Sequence, residues 1–148
     1  MARSTPAATL YLLLPPRTAV QRALPANPSM TANAAGADLS SLPLGFAWTL
    51  RHRLQRVDHA PLASLSPLVA QAARVVLLLA ASDVTLFRMA VPPLPAARLH
   101  AALPALVEDR VIGDPEACAI AAGAELDGQR TIAVTDRAWL QQWLAVLR

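Results

Sequence analysis

VVLLLAASDVTLFRMAVPPLP, residues 75–95, is the stretch on which the fold turns. Val75 to Ala80 is a continuous apolar run, which predicts a central strand buried on both faces. Ser82-Asp83 turns the chain into Val84–Val91, where Thr85, Phe87, Met89 and Val91 alternate with Leu86, Arg88 and Ala90. Period two marks a second strand, and two strands this close predict an antiparallel hairpin. Pro92, Pro93 and Pro95 end that strand and open a helix near Ala96. Its buried stripe should be Leu99, Leu103, Leu106 and Val107. Pro104 inside the pattern predicts a kink or a restart, and Gly113-Asp114-Pro115 stops the helix.

Working outward, Ala117–Ala122 and Thr131–Thr135 read as a second hairpin with its turn near Asp127-Gly128. Asp136 is placed to cap a final helix, Arg137–Leu147, with Leu140, Trp143, Leu144 and Leu147 facing inward. Toward the N-terminus, Ser66-Pro67 has the chemistry of a helix start, opening a short helix through Leu68, Val69, Ala72 and Ala73. Phe46 to Val57 alternates apolar and polar residues, which predicts one half-buried strand. Thr9–Leu14 is a short strand stopped by Pro15-Pro16. Arg17 to Pro43 offers little to bury and reads as a mobile Pro/Ala-rich loop. The order is strand, long loop, strand, helix, two strands, helix, two strands, helix. That is an α/β fold with a mixed, largely antiparallel sheet and flanking helices. It divides into a first segment at 1–74 and a second at 75–148.

Composition limits the function classes. The 148 residues are 55% hydrophobic and 16% charged, enough to bury a core without disulfides or metals. No apolar run approaches the roughly 20 residues that span a bilayer. All thirteen basic residues are Arg. Residues 1–60 hold six Arg against Asp38 and Asp58, whereas 61–148 hold seven against eight acids. Neither half has the dense basic stripe of a nucleic-acid binder. Cys118, the single cysteine, has no internal disulfide partner. The apolar stretch Ala7–Leu14 behind Arg3 runs into two prolines without a small-residue cleavage site, so it reads as a strand and not a signal peptide.

Candidate chemistry is sparse. Arg51, His52, Arg53 and Arg56 form the one basic cluster, suited to an anionic partner, although strand alternation alone already turns Arg51 and Arg53 to water. His52, His59 and His100 lack metal-ligand spacing. Cys118 sits in a strand of small apolar residues, where an inert thiol is expected in place of a nucleophile. Glu108, Asp109 and Arg110 near a helix C-terminus suit an exposed docking face better than acid–base catalysis. Neither GxxxxGK[ST] nor GxGxxG occurs. The first strand runs into Pro15-Pro16, which have no N–H to offer a phosphate.

The text VVLLLAASDVTLFRMAVPPLPAARLHAALPALVEDRVIGDPEACAIAAGAELDGQRTIAVTDRAWLQQWLAVL, residues 75–147, resembles the cytoplasmic region of protein L of the type II secretion pathway. The shared pattern is a strand, a small-residue-Asp turn, a second strand ending in Val-Pro, a helix, a hairpin around Asp-Gly and a closing helix. Thr9–Leu14 and Trp48 match the family's start more loosely. The resemblance implies a partial actin-like (ribonuclease H-like) fold that has lost, or never used, its nucleotide site. It implies a non-enzymatic scaffold on the cytoplasmic face of the bacterial inner membrane that recruits the secretion ATPase, protein E. It also implies contact with other inner-membrane secretion components, a possible homodimer, and a membrane span outside this chain, with no cofactor and no nucleic acid. No catalytic residues carry over. For partner docking, the surface residues to watch are Arg51 and Arg53, and Glu108, Asp109, Arg110 and Asp114 at the end of the helix. The competing expectations are an actin-like ATPase that still binds nucleotide, an actin-like assembly protein of type IV pili, and a small hydrolase using Cys118.

Overall fold

The computed structural model describes residues 7–23 and 39–147. The chain divides into two compact units, residues 1–80 with 143–148, and residues 81–142.

The first unit is built on a four-stranded sheet in the order β3-β2-β1-β4. Its strands are β1 (Ala8–Leu13), β2 (Pro43–Leu50), β3 (Arg53–Pro61) and β4 (Arg74–Leu78). β2 runs antiparallel to both β1 and β3, and β4 lies parallel to β1. A parallel neighbour needs a crossover, which a 3-10 turn (Leu62–Leu65) and helix α2 (Ser66–Gln71) supply. Helix α1 (Arg17–Ala23) follows β1. Alternation sets the core face: Ala8, Leu10 and Leu12 of β1 are buried with Leu44 and Phe46 of β2, and Leu62 and Leu65 are buried in the crossover.

The second unit pairs β5 (Thr85–Met89), β7 (Gln129–Asp136) and β6 (Cys118–Leu126) as an antiparallel sheet in that order. Helix α3 (Ala96–Val107) packs Leu99, Leu103 and Val107 against Ile132 and Val134 of β7, with Phe87 and Met89 of β5 filling in around them. The stripe is the one its spacing predicts, with Leu106 half-buried at its margin. Pro104 is carried inside one uninterrupted helix. β6 and β7 turn at Asp127 (φ 53°) and Gly128 (φ 70°), the left-handed pair that a two-residue hairpin turn requires. Helix α4 (Arg137–Val146) starts in this unit and ends in the first. Asp136 Oδ1 accepts from the Trp139 N–H at 2.8 Å, capping α4 as expected.

Six expectations need correction. The run 75–80 is not a central strand: β4 is an edge strand paired only with β1, and its residues are at most half-buried. Nor do β4 and β5 form a hairpin; each joins a different sheet. Phe46–Val57 is not one strand but the hairpin of β2 and β3, reversed at Arg51-His52. The loop expected at 17–43 begins as helix α1 and ends in β2, while 24–38 lie outside the described residues. On α4 Trp143 is buried as expected, but Trp139 is buried beside it, Leu140 and Leu147 are only half-buried, and Leu144 is left 39% exposed. Helix α2 also starts a residue early: Leu65 is its N-cap and Ser66 Oγ donates back to the Ala63 carbonyl at 2.9 Å.

Candidate interaction surfaces

The β2–β3 turn places Arg51 (φ 48°) and His52 (φ 62°) in left-handed backbone, the geometry that closes a hairpin with two residues. Non-glycine residues pay for this conformation, so the turn displays two cationic or polar side chains at a local energetic cost. Arg53 opens β3 beside them, and every residue from 51 to 59 is exposed. Arg56 Nη2 donates to Asp58 Oδ2 at 2.8 Å, and its guanidinium lies 5.2 Å from the centroid of the Phe46 ring. The Arg56 hydrogen bond, seconded by the His59 backbone N–H, holds the Asp58 carboxyl below its usual value. Gln55 is an extra residue in β3, because Trp48 pairs with Arg56 and Thr49 with Leu54. The basic cluster therefore occupies an edge strand guarded by arginines and a bulge.

The second group lies elsewhere, in the other unit. Glu108, Asp109 and Arg110 form a 3-10 turn that extends α3, all exposed. Two carboxylates at a helix C-terminus oppose its dipole, so local stability does not explain them. Asp114 is committed locally: its Oδ1 accepts from the Glu116 N–H at 2.9 Å, and its carbonyl accepts from Ala117 N at 3.0 Å. Cys118 Sγ–H points at the same carbonyl from 3.6 Å.

The phosphate question has a geometric answer at the end of β1. Pro15 and Pro16 join β1 to α1, and the Pro16 carbonyl accepts from Ala19 N (2.9 Å) and Val20 N (3.1 Å). What this turn supplies is an acceptor, and its two prolines have no N–H to donate. In the first unit, a cleft of about 540 Å³ is lined by Ser40, Leu62, Ala63, Ser66, Val69 and Val146 among others, none of them ionisable. Among the described residues no group of His, Cys, Asp or Glu has the arrangement of a metal site, and no helix is long and apolar enough to cross a membrane.

Three strands in antiparallel succession, with a fourth returned parallel beside the first, define a partial actin-like (ribonuclease H-like) fold. The type II secretion system protein L family matches residues 49–148, two thirds of the chain, and the chain belongs to that family. Among solved structures it is similar to the cytoplasmic domain of EpsL, an inner membrane component of the type II secretion system of Vibrio cholerae. The identity is 21% and the TM-score 0.61 over 95% of this chain. The chain spans about half of that structure, 52% of its length. No curated protein matches it significantly.

Proposed function

We propose that the chain is a non-catalytic scaffold of the type II secretion machinery, which holds the secretion ATPase at the cytoplasmic face of the inner membrane. The family match over residues 49–148 carries this reading, since it makes the chain a component of that machinery. The surfaces support it. The two exposed charged groups, Arg51 with Arg53 and Glu108 to Asp114, are presented on turns at the ends of regular elements, where partners gain access. The lining of the cleft holds no acid, base or cation that would act on a substrate. The test is association of this chain with the N-terminal region of the partner ATPase, measured by calorimetry. A dissociation constant in the micromolar range is expected, and no heat at about tens of micromolar would refute the assignment.

A further inference from the structure

The first sheet has two faces, and only one is covered by core. On the other, the register aligns Val57, Ala47, Tyr11 and Val76 as one row across β3, β2, β1 and β4. The next row sets Leu13 beside Leu78, with Gly45 between Leu13 and His59. A methyl added at Gly45 would lie 3.5 Å from both Leu13 Cβ and His59 Nε2, so the surface is continuous there. The exposed large apolar residues of the first unit's sheet are Leu13 (51%), Leu54 (61%), Val57 (62%) and Leu78 (44%). Scattered exposed apolar residues are ordinary; four that the register, with its bulge at Gln55, collects on a single face are a patch.

Charge narrows the occupant. Asp58 is the one acid among the described residues of 7–80; it pairs in register with Phe46 on the covered face, where Arg56 holds it. The open face therefore carries no carboxylate among the described residues, and Arg74 stands on its β4 side, level with Leu54. Size narrows it further. Strands about 4.8 Å apart give roughly 14 Å between the outer two, which suits one helix of about 10–12 Å diameter.

We infer that this open sheet face is a docking surface for an acidic amphipathic helix of another protein. The inference does not depend on which secretion component supplies that helix. It is tested on the full chain with a synthetic helical peptide of about five turns, Leu at i, i+3, i+4 and i+7 and Glu elsewhere. A twin with Lys for Glu, phosphatidylglycerol vesicles and sedimentation of the protein alone complete the set. The Glu peptide should bind with a micromolar constant that weakens as salt rises. Val57→Asp and, separately, Leu54→Asp should each weaken it at least about tenfold. Leu126→Asp, equally exposed in the second unit at 65%, should change nothing. Unchanged melting curves certify that the variants are folded. No binding by the Glu peptide, equal binding by its Lys twin, binding to vesicles in its place, or a dimer dissolved by Val57→Asp would each overturn the inference.

Discussion

Asp58 shows how a single exposed residue ties folding to pH. Its folded carboxyl is held below the usual value, first by the Arg56 hydrogen bond and then by the His59 N–H. A depressed acid stabilises the fold above its unfolded value of about 4 and loses that contribution as pH falls through the folded value. Melting curves at neutral pH and near pH 3 should therefore converge slightly when Asp58→Asn is introduced; an unaltered acid-side loss would show that the pair is inert. Solvent around this exposed pair keeps the effect small. Asp114 has a plainer role. Removing its cap from the Glu116 N–H with Asp114→Ala should cost about 1 kcal/mol, read from a denaturant midpoint. If Asp114 serves partner docking instead, association will fall while the midpoint stays put.

At the scale of the element, the β2–β3 hairpin is where sequence and structure part most clearly. Period two runs from Phe46 through Leu54 without a break, and no Asn-Gly or Asp-Gly interrupts it. An Arg-His turn carries no local signal, so only pairing between the strands reveals the reversal. By contrast, Asp127-Gly128 announces its hairpin, Asp136 its helix, and Leu99, Leu103 and Val107 their stripe, because each signal is local. β4 misled for another reason. Its apolar composition suggests burial on both faces, yet its residues are at most half-buried, and β1, not β5, proved to be its partner. The candidate docking residues were legible only as exposed charge; which partner they meet is not written in spacing or periodicity. The apolar face of the first sheet was legible still less, since it exists only once the register is known. Because two non-glycine residues hold left-handed backbone in the turn, replacing Arg51-His52 with Asn-Gly should stabilise the chain by about 1–2 kcal/mol. Chemical denaturation measures the gain. If Arg51 contributes to docking, the same variant binds its partner less well while folding better.

Over the whole molecule, charge is divided as the units are. The first unit's residues 1–80 hold seven Arg against two acids, and residues 81–142 hold five Arg against eight. This division would steer a partner of either sign to a different part of the chain, in an association that responds to ionic strength. The partial actin-like fold also invites a direct question about nucleotide. A ligand bound only to the native state at 100 times its dissociation constant adds about 2.7 kcal/mol, a shift any melting curve resolves. With Pro15-Pro16 after β1 and an uncharged cleft, ATP with Mg²⁺ should leave the melting temperature unchanged; a rise would remove the scaffold reading. The strand order β3-β2-β1-β4 has a further consequence, in time. β2 and β3 are joined by two residues and can zip within about microseconds, whereas β1 meets β4 only after closing a loop of some sixty residues, Leu13 to Arg74. Made before the other strands of its sheet, β1 has both flanks occupied only once β4 follows, so the first of these four strands in chain order is among the last completed.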